Sequence, residues 1–392
     1  MMLKENNKIE NKKLIVVLGM HRSGTSAITR GLQVLGVNLG DNLMPPVEGN
    51  NAKGFFEDLD LNALNVELLQ TLRSDWDYLS PIEDSDVEKL RKNGYFLRGV
   101  EILNQKFSNT STFGFKDPRV AKLLPFWKQV FAYCKFDVGY VLAVRHPLSV
   151  VKSLEKRDGF DSEKSYMLWI GHVLASISNT EEHKCVIVDY DLLMQAPERE
   201  LGRIADCFDL IVNPDEMKNY RSEFLDEGLR HTVYTLNDLI LDDACHPLVS
   251  EIYTALLDVA IDRRRMNDVV IQNQVALWSN EFKRLKSILC LIDKLTRKIT
   301  ILNQVEIERD GQISSLNQLV VERDAQISSL NQTVVEGNSQ IMHQEKELTA
   351  YHDQTEEYIK QLNLLQEQRT SELSNIKFLT KQLMGLFYKK IH

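Results

Sequence analysis

The chain has 392 residues, 43% of them apolar and 26% charged, with a formal net charge of −9. This is enough apolar content for one sizeable core with a further segment beside it. The acidic balance argues against a nucleic-acid binder, which needs a surplus of Lys and Arg to neutralise phosphates.

The first dozen residues, 1–12, are polar and mixed in charge and read as a flexible N-terminus. Leu14 to Leu18 is a five-residue apolar run and predicts a buried strand. A turn with Gly19 and Gly24 then feeds a helix beginning near Thr25, with apolar Ala27, Ile28, Leu32 and Leu35 on one face. Strand, glycine turn and helix together make an anion site. Glycine lets the backbone approach the anion, and the free N–H groups and dipole of the helix start favour its charge. The spacing Gly19-x4-Gly24 is that of a Walker loop, but Thr25 stands where that loop carries its lysine. The cation sits inside the turn instead, at Arg22, between His21 and Ser23 and just ahead of Ser26. Such a loop suits a terminal anionic group that needs no metal.

Val37 to Asn51 is a long loop rich in Gly, Asn and Pro, read as a substrate lip. It leads to a helix expected to start near Glu57, whose carboxylate either faces the pocket or simply favours the helix dipole. Asp86 to Phe107 is charged with helical periodicity. A short strand then reaches Lys116 and stops at Pro118, which suits a helix start. At a strand end Lys116 can serve an anion or a salt bridge with Asp117 or its neighbours.

The next strand, Val138 to Val144, ends in Arg145-His146-Pro147 and runs into a helix through Ser153. Arg145 at the strand end and Ser153 two turns into the helix can converge on one group, a second phosphate site. A helix over Ser162 to Ser178, a strand over Cys185 to Val188 and a helix from Pro197 follow. This alternation implies a doubly wound parallel sheet of an α/β protein, with right-handed crossovers. Phe224 to Tyr234 is placed to close over the site and carries Arg230 and His231.

From about Trp278 glycine and proline thin out, and a 14-residue unit repeats from Ile299, Ile313 and Ile327. With Ile299, Ile313, Ile327 and Ile341 at heptad position a, Leu302, Leu316 and Leu330 fall at d. Arg309, Arg323 and Gly337 also land on d. The expectation is a coiled coil that self-associates or docks a protein partner. The last residues, from Lys381, form a short, basic and apolar end of the kind that touches an anionic membrane surface. Five widely spaced cysteines, without a C-x-x-C pair, read as reduced thiols, and a zinc site is not expected. No run is long enough to span a bilayer, and the expected compartment is the cytoplasm.

GMHRSGTS at Gly19 to Ser26 resembles the loop that binds the 5′-phosphosulfate of 3′-phosphoadenosine 5′-phosphosulfate (PAPS) in the PAPS-dependent sulfotransferases. Arg145 with Ser153 is similar to that family's site for the 3′-phosphate. NNAKGFFED and FKDPRV look like the bacterial carbohydrate or general sulfotransferase branch. The resemblance covers roughly residues 12–235. It implies a three-layer α/β fold, a parallel sheet with a P-loop-type phosphosulfate loop, followed here by the helical coiled-coil tail. It further implies transfer of a sulfuryl group from PAPS to an acceptor hydroxyl, without a metal. Glu57 would be the base, with Arg22 and Lys116 offsetting developing charge. Gly19, His21, Arg22, Ser23, Gly24, Thr25, Ser26, Arg145 and Ser153 would hold the nucleotide, and His21 is an alternative base. The family's R-K-G signature is missing, and Arg230 is the candidate substitute.

The expected organisation is therefore a flexible start at 1–12, a sulfotransferase domain at 13–280, a helical tail at 281–385 and a basic end at 386–392. A carbohydrate or glycan acceptor is favoured by the bacterial likeness alone. The competing readings are a kinase-like P-loop enzyme, against which Thr25 argues, and an inactive coiled-coil scaffold.

Overall fold

The structure is a computed structural model and describes residues 12–47, 53–225, 234–388 and residue 390. The chain divides into two compact units, Met1–Lys298 and Ile299–His392.

The first unit opens with strand β1, Lys13–Gly19, and helix α1, Thr25–Val34. Helices α2 (Leu59–Thr71), α3 (Asp84–Lys92) and α4 (Tyr95–Lys106) lead to strand β2, Thr112–Lys116. Next come α5 (Val120–Cys134), β3 (Asp137–Val144), α6 (Pro147–Asp158), α7 (Ser162–Ser178) and β4 (Lys184–Asp189). Helix α8, Tyr190–Gln195, follows β4 directly, then α9, Pro197–Phe208, and α10, Pro214–Asn219, which runs into a π-helical turn at Tyr220–Phe224. Helices α11 (Leu236–Ile240), α12 (Pro247–Ala260) and α13 (Val269–Arg284) complete the unit together with the first turns of α14, Lys286–Tyr388.

The four strands form one parallel sheet in the order β2-β1-β3-β4. Alternate residues of β1 serve different cores, as strand geometry requires. Leu14, Val16 and Leu18 pack with Trp127 and Trp169 of α5 and α7, while Ile15 and Val17 pack with Ile28 and Leu32 of α1 and Leu201 of α9. With both faces covered, the strands read as continuous apolar runs. The sheet therefore presents the C-terminal ends of β1, β2 and β3 side by side, and the residues that leave those ends build the site.

Two expected elements differ. The helical stretch over Asp86 to Phe107 is two helices, because Gly94 takes a left-handed φ of 84° between them. The helix expected near Glu57 starts at Leu59, because Asp58 takes the N-cap and accepts from the N–H groups of Asp60 and Leu61.

The start of α14 is built into the first unit. Leu289 is in the core. Buried Asp293 accepts from the N–H groups of Leu79 at 2.7 Å and Ser80 at 2.8 Å, and from the Ser80 hydroxyl. The second unit by itself is the rest of α14, whose apolar side chains are exposed along its length.

Candidate active site

The loop after β1 is shaped by three residues with positive φ: Gly19 at 148°, Arg22 at 70° and Gly24 at 79°. Gly24 is the N-cap of α1. A Cβ there would stand 2.1 Å from Cδ2 of Tyr190, the first residue of α8, so only glycine fits. Tyr190 in turn carries Arg145 on its ring, with the guanidinium carbon 4.7 Å from the centroid.

Arg22, Arg145 and Ser153 meet in one crevice. Arg22 Nε donates to Ser153 Oγ at 2.7 Å, and Arg145 Nη1 donates to the Arg22 carbonyl at 3.2 Å. The left-handed turn at Arg22 thus aims its side chain at α6 and its carbonyl at the end of β3. Burial first, then Arg157 and Arg145, push the Arg22 guanidinium below its ordinary value, and it stays charged at neutral pH. Around this group the buried atoms Ser23 Oγ, Arg145 Nε and Ser149 Oγ have no hydrogen-bond partner among the described residues. Ser149 lies one turn before Ser153 on α6, on the same face. Buried polar atoms without partners are costly. Hydroxyls and a guanidinium left so beside a helix start fit an anion with several oxygens.

A second cluster adjoins the first through Ser26. Lys116 Nζ, at the end of β2, donates to Glu57 Oε1 at 2.7 Å, to the Phe55 carbonyl at 2.8 Å and to Ser26 Oγ at 3.3 Å. The Ser26 hydroxyl donates to the same Phe55 carbonyl. The partner of Lys116 is thus Glu57, whereas Asp117 pairs with Arg119 at 3.1 Å. Because Asp58 caps α2, Glu57 is released from the helix-dipole role.

Glu57 is also held by a chain of amides invisible to motif reading. Asn62 Nδ2 donates to Glu57 Oε2 at 2.9 Å and to Asp117 Oδ2 at 3.2 Å. Asn65 Nδ2 donates to Asp117 Oδ2 at 3.0 Å, and Asn65 Oδ1 accepts from Trp127 Nε1 at 2.8 Å. The available signal was the pair of asparagines three residues apart on one face of α2. Burial raises the Glu57 carboxyl above the usual range; Lys116 opposes this and Asp117 adds to it.

His21 lies on the other side of Arg22, with its ring 4.3 Å from Trp76 and 6.4 Å edge-on from His172. Burial, then Arg119, pushes it well below the ordinary imidazole value, so it is neutral at pH 7. His172 is pushed down to about 3, mainly by burial. Arg230 and His231 lie outside the described residues. Among the described residues no group of three or more His, Cys, Asp or Glu side chains is arranged to hold a metal ion. No described helix is long and apolar enough to cross a membrane, and all five cysteines are free thiols.

No family model and no curated protein matches the chain. Several solved structures resemble it, among them the following three. The sulfotransferase domain of the Synechococcus PCC 7002 olefin synthase is 15% identical, with 65% of this chain and 98% of that one covered at a TM-score of 0.34. Sulfotransferase STF1 from Mycobacterium tuberculosis H37Rv is 14% identical, covering 62% and 77% at 0.33. Retinol dehydratase, solved with androsterone and inactive cofactor PAP, is 12% identical, covering 70% and 81% at 0.31. At these levels the function is argued from the side chains.

Proposed function

We propose that this protein is a PAPS-dependent sulfotransferase that moves a sulfuryl group to an acceptor hydroxyl, on a carbohydrate or glycan, in the cytoplasm. The observation that carries the reading is the junction at Arg22. One guanidinium leaves a left-handed glycine loop to meet Ser153, and its own carbonyl is held by Arg145. The residues suited to the two ends of a sulfated adenine nucleotide therefore share one crevice, as the resemblance of GMHRSGTS and of the Arg145 and Ser153 pair requires.

In this reading Gly19 to Ser26 form the P-loop-type cradle of a three-layer fold. Backbone N–H groups of Ser23 to Ser26 and the Arg22 side chain hold the 5′-phosphosulfate, and Arg145 and Ser153 hold the 3′-phosphate. The nucleotide supplies the sulfuryl group. Glu57 accepts the acceptor's proton as the new O–S bond forms and the bond from sulfur to the phosphate oxygen breaks. Lys116, fixed by Glu57 and Phe55, and Arg22 offset the negative charge that develops. Neutral His21 is a less suitable base, because burial among cations opposes its protonation. The carbohydrate acceptor is favoured by the likeness of NNAKGFFED and FKDPRV to the bacterial branch.

Calorimetric titration of the full chain with adenosine 3′,5′-bisphosphate tests this. Binding without Mg²⁺, weakened at least tenfold by Arg145→Ala, is expected. Preference for ATP with Mg²⁺, or no nucleotide binding at all, overturns the assignment.

A further inference from the structure

The heptad register of the repeats does not end with them. Counting on in sevens from Ile341 places Leu348, Leu362, Ile376 and Leu383 at a, and from Leu330 places Tyr351, Tyr358, Leu365, Leu379 and Leu386 at d. The seam stays in phase from Ile299 to Leu386 within one uninterrupted helix, and its apolar side chains are exposed, for example Leu316 at 60% and Leu365 at 61%. An exposed stripe of this length is an interface in want of a partner.

The charged residues on the seam say which partner. They are Glu306 and Arg369 at a, and Arg309, Arg323 and Glu372 at d. In a parallel, in-register pair, an a side chain enters a hole bounded by the partner's a residue and the d residues on either side. A d side chain enters one bounded by the partner's d and e residues and the flanking a residues. Glu306 then meets the other copy's Arg309, and Arg369 meets its Glu372. Arg323 meets the adjacent Asp324 across the seam. Each charged seam residue faces its own copy, a like charge, and has an opposite charge in the same hole to offset it. In the antiparallel pairing that overlaps the same span end to end, a faces d. Glu306 then faces Leu379, Arg309 faces Ile376, Arg323 faces Leu362, and the Arg369 and Glu372 positions face Leu316 and Ile313. Each charge then faces hydrocarbon instead of an opposite charge, which is unfavourable. Strand number follows from the apolar positions. The a layer is rich in β-branched Ile and Val and the d layer in Leu, the combination that favours two strands.

We infer that residues 299–386 form a parallel, in-register, two-stranded coiled coil with a second copy of this chain. The seam continues beyond the repeats, and its charged layers set direction and register. This inference does not depend on the enzymatic reading.

Sedimentation of the full chain at about 10 µM tests the association: twice the 45.2 kDa chain mass is expected, and a monomer or trimer overturns the proposal. Direction is read from two separate single-cysteine variants, Leu302→Cys and Leu379→Cys, under mild oxidation with the unmodified chain as control. The sites are roughly 115 Å apart along a helix, so only the parallel register crosslinks each variant to itself; failure of either overturns it. Charge reversal tests the register without removing apolar surface. Arg369→Glu should weaken association at least tenfold, and Arg369→Glu with Glu372→Arg should restore it. Equal association of the single variant, or no recovery in the double, contradicts in-register pairing.

Discussion

Glu57 and Lys116 are 2.7 Å apart and nearly inaccessible to solvent, and the consequences at the residue scale are electrostatic. A base must be ionised to accept a proton, so turnover should rise with pH through the raised Glu57 value. Removing the negative charge of Asp117 eases that ionisation, so Asp117→Asn should move the acid limb of the pH–rate profile to lower pH. Glu57→Gln should leave binding of adenosine 3′,5′-bisphosphate within about threefold while lowering turnover by about 10²-fold or more. Arg22→Ala should lower both. Comparing single-turnover rates with calorimetric affinities separates the two effects.

His172 makes a second prediction at this scale, on stability. Its Nδ1 donates to the Leu168 carbonyl at 2.8 Å, and burial holds its value down at about 3 against 6.5 for the free side chain. Below pH 6.5 the unfolded chain takes up a proton that the folded chain refuses. Stability is therefore lost as pH falls from 6.5 toward 3, at about 1.4 kcal/mol per pH unit from this group. His172→Asn, whose amide replaces the Nδ1 donor, should flatten that slope in denaturant titrations at pH 6.5, 5.5 and 4.5.

At the scale of elements, the site depends on how α8 meets the loop before α1. Gly24 has a positive φ and its missing Cβ leaves space that the Tyr190 ring occupies. Gly24→Ala should destabilise by about 1–2 kcal/mol through the left-handed backbone alone, with a further ~1–3 kcal/mol from overlap with Tyr190. In a Tyr190→Ala background the same glycine substitution should cost only the first part, as a double-mutant cycle of thermal unfolding will report. Sequence periodicity located β1, α1 and α7 because each is a long apolar pattern closed by a cap or a turn. It did not divide Asp86 to Phe107, because the break at Gly94 is a backbone conformation that charged flanking residues do not announce. Nor did it separate Asp58 from Glu57: adjacent acids look alike until one caps a helix and the other meets a lysine.

For the whole molecule, the first unit ends at Lys298, after the turns of α14 that bind the segment around Leu79 and Ser80. A chain ending at Lys298 should keep the unfolding midpoint of the first unit and its binding of adenosine 3′,5′-bisphosphate. One ending at Leu285 loses the Asp293 acceptor and the buried Leu289, and should be less stable by at least about 3 kcal/mol. Matched binding and unfolding of both truncations would show that the start of α14 is not structural. The sequence by itself determined the alternation of strands and helices, the glycine loop with Arg22, and the 14-residue repeat of the tail, because each is a local pattern of period, spacing or residue type. Only the tertiary structure decided that Lys116 takes Glu57 rather than Asp117, that Tyr190 closes on Gly24, and that Asn62 and Asn65 tie the carboxylates to Trp127. Those pairings join residues far apart in the chain, and which partner a buried charge or amide takes depends on which strand ends and helix faces the packed sheet brings together.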